Sequence, residues 1–495
     1  MKKQFLSLIL LLSGLAALAQ DQVATQYAGL ITSQDLKANL SILASDALEG
    51  RETGKRGQKM AAAFISAYFE DLGLAGPVNG GYQQPVELFT MEAPAVTLAG
   101  QTGALEQHKE FSYYGSGQTN GTENFTLLFV GKGTDEELAG LDVKGKAVAV
   151  FLDANASMSR NPAITKLREK GASVVLAIND ADAEFTELSG MIQSYTGGQV
   201  SLSNKPSANL GSLFISPATA GKLFKTTPDK LKKAIADKKV AKVKPATLSV
   251  SVKQNYSPLK SSNVLGYLEG SDKKDELLVI TAHYDHIGID ENAKGDDKIN
   301  NGADDDGSGT VSVMQIAKAF VEAKKNGKGP RRSILFMLVT GEEKGLLGSD
   351  YYTQHPIFPL ENTVVNLNID MVGRRDPQHK DSAPYVYVIG SDRLSAELHS
   401  LSETTNNTYT KLLLDYTYNA ESHPDRIYYR SDHWNFAKNN IPIIFYFDGI
   451  HEDYHQPGDE VEKIEFDLMA QRAKCVFHTA WEIANREGRI KADKK

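Results

Sequence analysis

Five short apolar runs in the second half of the chain most limit what it can fold into: LLVITAH, SILFMLVT, VVNLNID, YVYVIG and IPIIFYF. They are compact, rich in β-branched residues and show no polar alternation, which suits strands buried on both faces of a sheet. Helical segments separate them, for example SGTVSVMQIAKAFVEAKKN, with Ser308 as a candidate N-cap. The pattern predicts an α/β fold with an open mixed, mostly parallel sheet between helix layers. Three runs lead directly into a potential metal ligand: His283, the pair Glu342–Glu343, and Asp370. Open α/β sheets build their sites outside the carboxyl ends of strands, so these residues are expected to converge on one crevice.

Upstream, Thr32 and Ser33 are candidate caps before Leu36, Leu40 and Leu43 on one helical face. Met60, Phe64, Ile65, Tyr68, Phe69 and Leu72 mark a second amphipathic helix, stopped by Gly73. From about residue 92 the texture changes to short β-like runs (FTLLFV, KAVAVFL, VVLAI, LFI) around one helical stretch, AITKLREKGA. A smaller β-rich α/β domain inserted at 93–257 is expected. The second half therefore joins residues 20–92 to 258–487, followed by a frayed basic tail at 488–495. KAVAVFLDANAS has no Gly-rich turn after its strand, which weakens a dinucleotide-binding reading.

Composition removes several classes. The chain of 495 residues is 41% hydrophobic and 23% charged, as expected of a globular protein. Its net charge of −8 lacks a nucleic-acid binder's basic surplus. Cys475 is the single cysteine, so neither an intrachain disulfide nor a thiolate zinc cluster can form. It lies in an apolar helical run and reads as a packing residue. Lys2 and Lys3, the run FLSLILLLSGLAALA and the Ala17-Leu18-Ala19 cleavage pattern read as a signal peptide over 1–19. Export to the periplasm or the exterior follows. No cysteine follows the run to take a lipid anchor, and no later stretch approaches a membrane span.

Two loops enlarge the ligand inventory: GADDDGSG with Asp304, and EDYHQPGDE with His455. Imidazoles and carboxylates together suit borderline ions such as zinc. Two ions need one His and one acid each plus a bridging acid, and a further acid is then free to act as a base. Blander readings stand beside these. His286 competes with His283 in AHYDHIG. The three aspartates could be a polar turn, and the calcium-loop spacing fails at Gly302 and Val313. Glu342 and Glu343 could be first-turn acids. Ser431-Asp432-His433 could cap a helix or line a pocket. Arg374 and Arg375 could form salt bridges or receive a substrate carboxylate. His451-Glu452-Asp453-Tyr454-His455 is literally H-E-x-x-H, but Gly449 and Pro457-Gly458 leave no room for the helix that motif requires.

The motifs AHYDHIG, GADDDGSG, TGEEKGLLGS, NIDMVG and YHQPGD resemble, in order, those of the co-catalytic zinc aminopeptidases related to bacterial leucyl aminopeptidase and glutamate carboxypeptidase. The resemblance covers roughly 33–90 and 258–487. A looser one, around DVKGKAVAVFLD and KLREKGASVVLAIND, links the insert to the protease-associated domain. The first resemblance implies two zinc ions. His283 binds one of them, Asp304 bridges, Glu343 and Asp370 bind one ion each, and His455 completes the second site. Glu342 is then the general base toward a water shared by the ions, Asp285 supports the His283 imidazole, and Tyr454 steadies the oxyanion. The implied function is an exopeptidase acting on peptides, an aminopeptidase first. The alternatives are a carboxypeptidase, a single-zinc glutaminyl cyclase-like acyltransferase, or a binding protein on a peptidase fold.

Overall fold

The computed structural model describes residues 21–153 and 161–494. The expected signal peptide lies outside them. Among the described residues, no helix is long and apolar enough to cross a membrane. The chain divides into two units: residues up to 86 with 260 onward, and 87–259.

In the first unit all five apolar runs are strands. The main sheet contains β1 (Gln83–Met91), β2 (Tyr256–Leu268), β3 (Lys273–His283), β4 (Arg332–Val339), β5 (Thr363–Ile369), β6 (Tyr385–Ile389), β7 (Leu413–Asp415) and β8 (Ile443–Phe447). Their order is β7-β6-β8-β5-β3-β4-β2-β1. β3 runs parallel to both β4 and β5, and β5 parallel to β8. β2 and β6 are antiparallel to their neighbours β4 and β8. The sheet is therefore mixed and mostly parallel.

Alternate residues of each central strand enter different cores, which is why the sequence shows no polar alternation. On β3, Leu278, Ile280 and Ala282 pack with helices α1 (Gln22–Ala28), α2 (Ser33–Leu43), α3 (Arg56–Leu72), α4 (Gly309–Lys325) and α7 (Phe466–Asn485). Leu277 and Val279 face the opposite layer, with Tyr352 from α5 (Leu347–Gln354). Helix α6 (Ala396–Tyr409) lies against α7. Cys475 is buried in α7.

Helix boundaries follow local chemistry in two of three expected cases. Thr32 accepts the Asp35 N–H to start α2, and Gly73, at φ 81°, ends α3. Ser308 does not cap α4. That cap is Asp306, whose Oδ1 accepts the Gly309 N–H at 2.8 Å. The tail is not frayed as far as it is described: Ile490 is buried, and Arg489 donates to the carbonyls of Glu361 and Thr363.

The second unit is built on an eight-stranded sheet. Its centre is parallel, from Glu123–Phe129 through Ala147–Phe151 and Val174–Ile178 to Ser212–Ile215. Antiparallel strands flank it, Ala246–Lys253 on one side and Phe111–Tyr114 on the other.

Candidate metal centre

Parallel pairing brings the strand ends together. His283, the last residue of β3, pairs with Val339, the last of β4, and Thr281 pairs with Asn368 near the end of β5. Hence His283, Asp370 and the Glu342–Glu343 turn emerge at one edge.

The loop at 302–308 supplies three aspartates with three different environments. Asp304 Oδ1 accepts the Gly373 N–H at 2.7 Å, and Oδ2 lies 3.2 Å from His451 Nε2. Asp306 accepts the main-chain N–H of His283, Gly309 and Met371. Asp305 alone offers both oxygens to imidazoles at the strand edge: Oδ1 lies 3.2 Å from His283 Nε2 and Oδ2 lies 3.1 Å from His455 Nε2. The expected bridging position is therefore corrected from Asp304 to Asp305. Asp459, the last acid of YHQPGD, fixes this choice by accepting the N–H of both Asp304 and Asp305 at 3.0 Å. Buried Arg51 holds the same loop through the carbonyls of Asn301 and Gly302.

The other expected ligands gather around Asp305. Asp370 Oδ1 lies 3.6 Å from His283 Nε2, and Glu343 Oε2 lies 3.2 Å from His455 Nε2. Two donors bound at about 2.0–2.1 Å to one tetrahedral ion stand about 3.3 Å apart. These spacings fit that value, so the donor set suits two ions sharing Asp305. The Asp305 Oδ2 atom is buried without a hydrogen-bond partner, as an oxygen reserved for a cation would be.

Supporting contacts extend outward. Ser431 donates to Asp370 Oδ2 at 2.6 Å and accepts from the Asn368 amide. Its neighbour Asp432 is a buried acceptor for Ser349 rather than a helix cap. Asp285 departs from expectation. The His283 Nδ1 lies 3.0 Å from its backbone carbonyl, because β3 ends at His283, while its carboxylate takes the Thr53 hydroxyl and the Glu342 N–H. Asp285 thus supports His283 through the main chain and Glu342 through the side chain.

Glu342 stays free of these contacts, with Oε2 3.9 Å from His283 Nε2. Burial, with the like charges of Glu343, Asp370 and Asp432, pushes it well above the usual carboxylate range despite His283. Burial and Asp305 also act to raise Glu343, but contacts with His286 and His455 hold it down to about 2. Tyr454 stacks on the His455 ring at 3.9 Å, and burial beside Asp305 and Glu343 keeps its phenol protonated.

The H-E-x-x-H pair does not converge. The segment forms turns, and His451 Nδ1 accepts the Asp453 N–H, which leaves its Nε2 to carry the proton toward Asp304. His455 points to Asp305 and Glu343 instead. Arg374 pairs with Asp453, Arg375 with Glu465, and Arg426 covers the Tyr429 ring. Arg430 reaches the adjoining pocket, where it donates to the Tyr454 hydroxyl at 3.4 Å. Met371, Ile427, Phe445, Phe447 and Ile450 give that pocket an apolar wall.

Asp305, Asp459 and Thr53 enter this site without having been selected from sequence, where His286 stood only as a competitor of His283 and Ser431 only as a cap or pocket-lining residue. Asp459 and Asp305 lay inside motifs already recognised. Nothing local in the sequence marks Thr53.

The family model described as peptidase family M28 matches residues 263–480. A probable leucine aminopeptidase of Trichophyton verrucosum is 30% identical over 219 residues, 43% of this chain and 55% of that protein. A probable zinc metalloprotease of Pyrenophora tritici-repentis is 28% identical over 268 residues, 46% and 52% of the two chains. The chain thus spans about half the length of these curated relatives. An aminopeptidase from Aneurinibacillus sp. strain AM-1 is similar in fold, with a TM-score of 0.56 at 20% identity over 95% of this chain and 98% of that one. A zinc aminopeptidase from Bacillus subtilis gives 0.51 at 20% identity over 94% and 98%. Residues 263–480 thus match the peptidase M28 family model, within a chain whose fold is similar to that of these aminopeptidases.

Proposed function

We propose that this protein is an exported two-zinc aminopeptidase that removes N-terminal residues from peptides. One observation carries the reading: Asp305 divides its oxygens between His283 and His455, with Asp370 beside the first and Glu343 beside the second. In that arrangement His283, Asp305 and Asp370 would hold one ion, and Asp305, Glu343 and His455 the other. Bound zinc would lower the pKa of water and polarise the peptide carbonyl.

Glu342 accepts the proton of the attacking water and later delivers it to the departing amine. Asp285 orients it by taking its main-chain N–H. The neutral Tyr454 phenol is placed to donate to the developing oxyanion. The apolar pocket of Met371, Ile427, Phe445, Phe447 and Ile450 receives the first side chain. Three ligand carboxylates and Glu342 would balance the charge of two zinc ions and leave no positive surplus for a carboxylate, which favours an amine terminus. Export rests on the sequence of residues 1–19.

One observation favours a second reading: Arg430, at the pocket, is the kind of group that would hold a terminal carboxylate. A panel of free and end-blocked peptides, assayed with metal content, separates the two. The aminopeptidase cleaves free-amine dipeptides and aminoacyl anilides, loses activity on N-acetylated peptides and tolerates C-terminal amidation. Cleavage of acetylated peptides with a requirement for a free C-terminus would establish the carboxypeptidase.

A further inference from the structure

His286 is the imidazole left over by this ligand assignment. It is fully buried, and its ring packs so closely on Gly302 that a Cβ there would come within 2.6 Å of it. Neither ring nitrogen makes a hydrogen bond of good angle among the described residues. Nδ1 lies 2.8 Å from Glu343 Oε1 and 3.8 Å from Asp305 Oδ2. A buried imidazole with nothing to bind is costly, so its place against Glu343 calls for a role.

Spacing separates two roles. Co-ligands of one zinc stand about 3.3 Å apart, whereas a charge-assisted N–H···O bond spans about 2.7–2.9 Å. His455 and Glu343, at 3.2 Å, have the first spacing, and His286 and Glu343, at 2.8 Å, have the second. The two oxygens of Glu343 also divide: Oε2 faces His455, while Oε1 is buried with no hydrogen-bond partner of good angle and has His286 Nδ1 as its near neighbour. The other terminal carboxylate follows the same plan, since Asp370 turns Oδ1 toward His283 and gives Oδ2 to the Ser431 hydroxyl at 2.6 Å.

We propose that His286 is a positioning residue of the second metal site: its Nδ1–H donates to Glu343 Oε1 and locks the carboxylate rotation that presents Oε2 to the ion. This rests on the two-zinc reading above. His286 is then to Glu343 what Ser431 is to Asp370, and each ion has one carboxylate fixed from behind. Loss of such an outer partner typically weakens metal binding by roughly 10–100-fold.

The test measures retained zinc per chain under competition with a chelator, with folding followed by circular dichroism. The wild type should retain two ions. His286→Ala should lose one of them at roughly 10–100-fold lower chelator concentration and hold the other as the wild type does. His286→Asn, whose amide can donate from the Nδ1 position, should recover most of the loss. A folded His286→Ala with two ions of wild-type affinity, or a His286→Asn no better than it, would overturn the inference. Should His286→Ala fail to fold, nitrogen NMR of histidine-labelled, zinc-loaded wild type decides. A protonated, exchange-protected Nδ1 on His286 supports the inference, and a metal-bound Nδ1 overturns it. Failure of the two-zinc reading itself would show as fewer than two ions in the wild type.

Discussion

Glu342 and Glu343 are adjacent in the chain but turn their carboxylates to different partners. Glu343 Oε2 lies 3.2 Å from His455 Nε2, whereas Glu342 Oε2 comes no nearer to His283 Nε2 than 3.9 Å. Glu342→Gln should therefore keep both ions and the fold, and lower kcat by roughly 10²–10⁴. Glu343→Gln should lose metal. Zinc content and single-substrate kinetics on both variants check the division, and an exchange of the two phenotypes would show the roles reversed.

Metal removal follows from the donor set. Two imidazoles and three carboxylates, with no thiolate, bind zinc less tightly than a cysteine cluster. Zinc content should be near two per chain, chelator should abolish activity, and zinc or cobalt should restore it. Full activity with fewer than one ion bound would exclude the two-ion site.

The three aspartates give a sharper test. Asp305→Asn removes the carboxylate charge between His283 and His455 and should cost both ions. Asp304→Asn keeps an oxygen for the Gly373 N–H, so it should retain metal and lose stability instead. His451→Ala should also keep both ions, while removing the imidazole 3.2 Å from the buried Asp304 Oδ2 and so lowering stability. Thermal unfolding with metal analysis reads all three. A zinc-free His451→Ala beside a metal-replete Asp305→Asn would revive the H-E-x-x-H site.

A pH effect is expected far from the metals. His478 stacks on Tyr409 at 4.0 Å, and burial pushes its pKa from 6.5 down to about 4. The unfolded chain therefore binds more protons than the folded one between those values. The neutral ring's contribution is complete above pH 6.5 and is lost as pH falls toward 4, by up to about 3 kcal/mol. His478→Phe should flatten this acid limb of the stability curve. Denaturant melts at pH 5 and pH 8 measure it, and an unchanged slope would refute the assignment.

Sequence periodicity determined the sheet and the ends of its strands, because burial on both faces leaves an unbroken apolar run that stops where the chain meets the crevice. It thereby located His283, Glu342, Glu343 and Asp370, and the order of the motifs supplied His455. It could not choose among Asp304, Asp305 and Asp306, because a loop has no period and adjacent carboxylates are chemically alike. The tertiary structure made that choice through the N–H of Gly373, Gly309 and Met371 and the carboxylate of Asp459, which arrive from other elements and turn each aspartate separately. Likewise, the end of β3 at His283 decided that the Asp285 main chain, not its carboxylate, faces the imidazole. His286 was visible only as a competitor for His283, since its meaning lies in a 2.8 Å contact with a residue 57 positions away, a separation that no local pattern records.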